Sequence, residues 1–468
     1  MGERTSRDLN LIPQTQMRVC YSRIRVMPGV PRFVLSGRFV LLGLSIAIVA
    51  SGGPVHVWQD SIELPTYAER DPDPAPEFAA LKADMPNYPY PVRSQISARP
   101  EDRSTVAWRT LNLENEYLFC RILPDLGGHV YNCRDKLSQR EVFYANPVIK
   151  KDLIGLRGAW IATGIEPDFP ATHSRVSASP VNFFTRSDAD GSASVIVGDT
   201  DRVTGMSWRV EYRLRPESTV LEEQVSLYNP TPVRHPYLWW NNAEIELDDP
   251  GLRYVLPTKL MLSHDRKTLE SWPVNSAGVD MSLVANHKTE ATWFAYLCQD
   301  TFMAVYKPKS RSGVAHYADP KIVAGKKVWI MGEQMEFYRG RLTDNANVYA
   351  EMQAGLFADQ QTYEFLQPGQ SRGFTEYWIP FRDLDGVTRA TPDVVLYARR
   401  SGEELRVELN ATHPIGNARI RVIGGARVMA EFAADLDPKA AWKQTVKFPA
   451  GESYGSGPRS KWTSAART

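Results

Sequence analysis

From Thr105 onward apolar and polar residues alternate in short runs, at Leu113 to Ile122, His129 to Asn132, Ala193 to Gly198, Ser207 to Leu214, Val220 to Tyr228 and Arg253 to Leu256. Clusters of Gly, Pro and Asp separate them. A period of two broken by turn residues predicts antiparallel strands. No segment of ten or more residues sustains a helical period, and no repeat of about 20 to 50 residues is visible, so residues 105–385 read as a many-stranded, all-β domain. Ahead of it, Val55 to Ser61 alternates as a lead-in strand and Arg70 to Pro76 is a Pro- and acid-rich connector, so 55–104 reads as lead-in strand and linker.

Near Gly386 the pattern shifts. Residues 382–391 read as a linker, and runs at Val394 to Ala398, Leu405 to Leu409, Ala418 to Ile423, Arg427 to Ala433 and Trp442 to Phe448 predict a small immunoglobulin-like sandwich over 390–450. The Ser-, Gly- and base-rich end, 451–468, predicts a disordered tail.

The first 54 residues follow a different pattern. Arginines lead into the apolar run Phe39 to Ala50, closed by Ser51, Gly52, Gly53 and Pro54. That run suits the about 7 to 15 residues of a secretory signal better than the about 20 of a membrane span. Export to the periplasm or the exterior is therefore expected, with Met17 and Met27 as alternative starts and an uncleaved anchor as the alternative fate. N-terminal sequencing of the protein from its native host distinguishes them.

The chain has 468 residues, with 55 basic and 54 acidic side chains and a net charge of +1, which argues against a nucleic-acid partner and for a neutral ligand. Twelve Trp and 20 Tyr suit stacking on sugar rings, although large β-proteins also carry many aromatics. Four cysteines lack metal-finger spacing. Cys120 and Cys133 flank a hairpin turning at Pro124 to Gly128, where they face each other either as a disulfide or as two thiols.

The densest chemistry is Arg234 to Glu244, R-H-P-Y-L-W-W-N-N-A-E. His235, Trp239, Trp240, Asn241, Asn242 and Glu244 offer a proton donor or acceptor, stacking rings and bidentate amides, which a sugar requires. A satisfied histidine and two core tryptophans are the plain alternative. A second cluster spans Gly155 to His173, where Arg157, Trp160, Glu166, Asp168 and His173 stand between Gly and Pro breaks like a loop entering a site; a loop-ordering ion pair is the plain alternative there.

The motifs V-W-Q-D-S-I-E-L-P-T-Y, L-E-N-E-Y-L, L-P-D-L-G-G-H, G-L-R-G-A-W, N-P-T-P-V-R-H-P-Y-L-W-W-N-N and G-K-K-V-W follow one another between Val55 and Pro380. Together they resemble domain-of-unknown-function family 5107. That resemblance implies a galactose-mutarotase-like β-supersandwich acting on or binding carbohydrate. Many relatives continue into tetratricopeptide repeats, where the short β unit is expected here. Within the wider superfamily, H-P-Y-L-W-W-N is similar to the strand-end His, aromatic and Asn of aldose 1-epimerases, and Glu351-Met352-Gln353 before Pro368-Gly369 to their E-x-Q stretch. What this implies is Glu351 as general base and His235 as general acid, with Asp280 a loosely matched substrate residue. The basic pattern of hexose-phosphate epimerases is missing after Gly155 to His173, which argues against a sugar phosphate.

Removing the anomeric hydroxyl proton while protonating the ring oxygen requires an acid and a base on opposite sides of one carbon–oxygen bond. Glu351 and His235 would supply them, unless Glu351 only pairs with an Arg and His235 only donates to a loop. Glu166, Glu244 and Glu351 could equally supply the two carboxyls of a glycosidase. The expected reaction is thus epimerisation or hydrolysis at an anomeric centre, without cofactor or metal, and the rival class is a non-catalytic glycan-binding module.

Overall fold

The computed structural model describes residues 18–22, 53–69, 100–153, 159–332, 340–344, 349–424 and 427–447. The apolar run at 39–50, the connector at 70–76, Arg157 and the tail at 451–468 lie outside the described residues.

Two large antiparallel sheets, of twelve and eight strands, share one core. Leu113, Ile122 and Val130 enter it from the larger sheet, and Val195, Val210 and Trp378 from the smaller. Near the middle of the larger sheet runs the strand Trp240–Glu246, flanked by Ile165–Asp168 and Tyr349–Gly355, with Gly325–Ile330 beyond the latter. Six of its seven residues are buried, so both faces are covered. A strand buried on both sides loses the polar-out alternation that would mark it as a surface strand.

Two segments differ from the reading of the sequence. The run from Leu113 to Ile122 is not one strand: Arg103–Glu114 ends where the Asn115 Oδ1 accepts the backbone N–H groups of Tyr117 and Leu118, both at 2.8 Å, and Leu118–Leu123 returns antiparallel. A side chain that satisfies the turn's donors in this way ends a ladder as firmly as a Gly-Pro pair. The lead-in segment is a twelve-residue strand, His56–Tyr67, paired along its length with Arg103–Glu114. It forms the edge of the main sheet and carries Pro65 where an edge tolerates a missing donor.

In the Leu118–Leu123 and His129–Asp135 hairpin, Cys120 stands opposite Cys133 and the two form a disulfide. Gly127 and Gly128 make its turn with φ of 67° and 73°. A Cβ at Gly127 would lie 2.3 Å from the Ser177 carbonyl oxygen, so only glycine allows the Ser177 loop this close.

Past residue 388, the strands Val394–Ser401, Glu404–Ala411 and Trp442–Lys447 form one small sheet with Arg389–Ala390, and Ile415–Gly424, between Arg427–Leu436 and the N-terminal strand Arg18–Ser22, forms another. Leu405, Val407, Ile420, Val422 and Leu436 give this unit its own core. Buried Arg382 ties it to the main domain, its Nε donating to Asp135 at 2.9 Å and its Nη1 to the Pro438 carbonyl at 2.8 Å.

Candidate functional site

Residues directly opposite in neighbouring strands share a face. Glu166, Asn242 and Gln353 are in register across three strands, Glu244 is opposite Glu351, and Lys327 and Trp329 are opposite Gln353 and Glu351 in the next. This face forms the floor of a cavity of about 920 Å³, where His173, Asn242, Glu351, Gln353, Lys327 and Trp329 are exposed to its interior.

At one end the His173 Nδ1 is 2.7 Å from the Glu166 Oε2, and the imidazole stacks on Trp160 with centroids 4.1 Å apart and planes 5° apart. With Nδ1 taken, Nε2 is the ring nitrogen left to the cavity. Asn242 donates to the Glu166 Oε2 at 2.8 Å and the Asp168 Oδ2 at 2.9 Å; Ser177 donates to the other Glu166 oxygen and the Ser174 N–H to the Asp168 Oδ1. Burial opposes ionisation of Glu166, but the charge and hydrogen bond of His173, with His129 and the Ser177 hydroxyl, outweigh it and lower its pKa. Behind it, fully buried His129 is pushed down to about 4, chiefly by burial and partly by the His173 charge, against the pull of Glu166.

Glu351 is the counterpart. Burial raises its pKa against the opposing charges of Lys327 and His173 and the hydrogen bond from the Gln353 amide, with the Glu166 charge adding to the rise. Glu244, also buried, is raised well above the ordinary range by burial and the charges of Glu351 and Glu166, and its Oε2 has no hydrogen-bond partner among the described residues. From Glu351 a chain of hydrogen bonds runs through Gln353 and Gln360 to the Lys327 Nζ, the last two links being 3.2 and 2.9 Å.

Glu166, Asp168 and His173 hold one ligand-type atom each within 4.8 Å of one another, a grouping with the donor types of a cation site. Each of the four carboxylate oxygens already accepts a hydrogen bond here, so the grouping reads as an oriented imidazole–carboxylate pair.

Of the residues singled out by sequence, Trp160, His173, Asn242 and Glu351 line the cavity, and Glu166 and Glu244 are buried against that group. Asp168, fully buried, stands beside them and accepts from Asn242, and the others lie elsewhere. His235 belongs to the short strand His235–Tyr237, paired with Glu364–Leu366, and is not brought to Glu351. Trp239 turns into the space between the sheets, where its Nε1 donates to Glu376 at 3.1 Å and its ring meets Phe374 edge-on. Trp240 is fully buried against Gly325 and Gly355, where a Cβ would lie 2.6 and 2.3 Å from the indole. Asn241 also faces the core, donating to Glu223 at 3.3 Å. Asp280 orders a turn by accepting the Ser282 N–H and hydroxyl at 3.0 and 2.6 Å. Arg157 is outside the described residues.

Lys327, Trp329, Gln353, Gln360 and the Ser177 loop were missed. The first two stand two apart in G-K-K-V-W, and Gln353 stands two after Glu351, a spacing that puts each pair on one strand face. Nothing local marks Ser177 or Gln360.

Several solved structures are similar to this chain. A tetratricopeptide-repeat-domain-containing protein from Parabacteroides distasonis is 29% identical with a TM-score of 0.63; the match covers 70% of this chain and 56% of that one, so the chain spans little more than half that protein's length. A galactose mutarotase-like protein from Clostridium acetobutylicum is 14% identical, covering 59% of this chain and 96% of its own with a TM-score of 0.41. A galactose mutarotase related enzyme from Lactobacillus acidophilus is 12% identical, covering 60% and 100% with a TM-score of 0.41. Residues 389–456 match the second domain of YphG-like proteins. Residues 82–381 match the domain of unknown function DUF5107, and with that match over most of its length the chain belongs to the DUF5107 family.

Proposed function

We propose that the cavity carries out acid–base chemistry at the anomeric centre of a neutral sugar, with Glu351 as the acid and His173, held by Glu166, as the base. One observation carries this reading: of two buried carboxyls, Glu351 on the cavity has been pushed up and Glu166, bonded to the back of the cavity-lining His173, has been pushed down. Environments that separate two such groups assign the proton donor and the charge that supports the acceptor. The roles are the reverse of those that the epimerase resemblance implied for Glu351, and the imidazole is a different one.

In this scheme the His173 Nε2 takes the proton of the anomeric hydroxyl while Glu351 protonates the ring oxygen, and the bond between that oxygen and the anomeric carbon breaks. Ring closure on the other face reverses both transfers. If the sugar is a glycoside, the Glu351 proton goes to the bridging oxygen and His173 activates a water. Glu166 keeps the Nδ1 proton in place and stabilises the imidazolium as it forms, and the Gln353 amide fixes the Glu351 rotamer.

The test is turnover on a sugar panel, followed by both anomer exchange and reducing-end release, for the parent protein and for Glu351→Gln and His173→Asn. Each variant should lose about 10² to 10⁴-fold in kcat. The double variant should lose little more than either alone. A Glu351→Gln protein within a few fold of the parent rules the assignment out, and sugar binding without turnover by the parent leaves a glycan-binding module.

A further inference from the structure

The cavity extends well beyond the reacting groups. Trp240–Glu246, Tyr349–Gly355, Gly325–Ile330, Ala291–Ala295 and Leu260–Ser263 are consecutive in the sheet, and the lining runs from Asn242 on the first to His264 just past the last. Four interstrand steps of about 4.8 Å make that path roughly 19 Å long. The 920 Å³ volume is at the upper end of the about 300 to 1,000 Å³ common for small-molecule sites. A single pyranose seated between His173 and Glu351 spans little more than one such step and leaves most of the cavity open.

Midway, Trp329 is held by a 2.7 Å hydrogen bond from its Nε1 to Glu290, and Thr292, its opposite in the next strand, lines the same stretch. At the far end the segment between the strands Leu269–Ser271 and Ala291–Ala295 offers Asn275, Asn286 and Lys288 to the cavity. Asn275 caps its own turn by accepting the N–H groups of Ala277 and Val279, at 3.1 and 2.9 Å, so this wall is fixed before any ligand arrives. A flat ring in the middle and hydrogen-bonding groups at both ends match a molecule that presents apolar faces and hydroxyls repeatedly along its length.

We infer that the site takes a linear neutral oligosaccharide of at least three units, with one terminal unit at His173 and Glu351 and the others extending over Trp329 toward Asn275 and Lys288. This rests on the carbohydrate reading above and adds length and direction to it. A monosaccharide is then a poor ligand because it leaves the aromatic and far-wall contacts unmade.

Calorimetric titration of the intact protein with glucose, mannose, galactose and xylose oligomers of one to five units provides the test. In at least one series the affinity should rise tenfold or more from one unit to three and level off by four or five. Lys288→Ala, at an exposed position that cannot disturb the core, should remove part of that gain while leaving the monosaccharide affinity unchanged. Equal affinity for one and three units in every series that binds overturns the inference but keeps the carbohydrate reading. A protein that binds no sugar of any length overturns both.

Discussion

The two faces of the strand Trp240–Glu246 carry the same residue types and put them to different uses. On one face Asn242 and Glu244 meet Glu166, Glu351 and His173 beside a cavity. On the other, Asn241 meets Glu223, whose Oε2 also accepts the Trp378 Nε1 at 2.7 Å, while nearby Glu376 takes the Trp239 Nε1 and stands 2.7 Å from the His316 Nε2, all sealed between two sheets. Burial alone does not make a site. The cavity face separates its carboxyls, one lowered by a histidine and two raised, whereas on the sealed face Glu223 is pushed up to about 8 by burial and the Glu376 charge. A protonated Glu223 there acts as a neutral hydrogen-bonding strut.

The largest expected contrast separates the tryptophans. Trp239→Ala removes a fully buried ring from between the sheets and strands the Glu376 oxygen it serves, so it should cost about 3 to 5 kcal/mol of unfolding free energy in a denaturant titration. Its effect on sugar affinity at temperatures where the variant stays folded should be nil. Trp160→Ala also removes a buried ring, but it should in addition weaken sugar binding, by about 1 kcal/mol, through the loss of the ring that braces His173. If Trp239→Ala lowers affinity without lowering stability, the two faces have been assigned the wrong way round.

Much of this division could not be read from the sequence, for a definite physical reason. W-W-N-N identifies a buried, hydrogen-bonding strand, but a period of two means that a slip of one residue exchanges Asn241 for Asn242 and sends every side chain to the other face. Only the partner strands fix that phase. The carboxyls Glu166 and Glu351 and the imidazole of His173 were legible as candidates, because E-x-Q and the Gly- and Pro-broken loop are unusual for plain strands. His235 was legible for the wrong reason: its neighbours are aromatic because the ribbon with Glu364–Leu366 packs Tyr237 against Phe169 and Phe357. The β class and the small C-terminal unit followed from alternation and turn residues, whereas the Asn115 turn was hidden because an asparagine cap leaves no Gly or Pro.

The pH dependence of stability sharpens the comparison at a smaller scale. Glu223 has its folded pKa raised from about 4.5 toward 8, so between those values the folded state holds a proton that the unfolded state has lost. Stability therefore falls as pH rises through that window, by up to about 1.4 kcal/mol per pH unit for one proton. Glu223→Gln keeps the shape and removes the titration, so its urea midpoint should change less between pH 5 and 8 than the parent's. His129 runs in the opposite sense: its folded pKa is lowered from 6.5 to about 4, so the stability it contributes is present above about 6.5 and lost as pH falls through 4. A parent protein and a Glu223→Gln variant whose stabilities follow the same course from pH 5 to 8 would show that Glu223 stays ionised, and the sealed face would then be a charged cluster.

The smallest effect expected is at His235, which separates the sequence-based pairing from the structural one. Its ring lies on a short ribbon, partly exposed, and is not among the groups lining the cavity, so neither proton transfer passes through it. His235→Asn should leave kcat and KM within about threefold of the parent, far from the about 10² to 10⁴-fold expected of a general acid or base. His173→Asn in the same assay supplies the scale, since it removes the imidazole that Glu166 orients. The comparison is informative because both substitutions delete an imidazole and keep a hydrogen-bonding amide, leaving position as the main difference between them. A hundredfold loss at His235 with His173→Asn nearly silent would return the acid–base role to the strand end, and the carboxyls around Glu166 would then be a binding group.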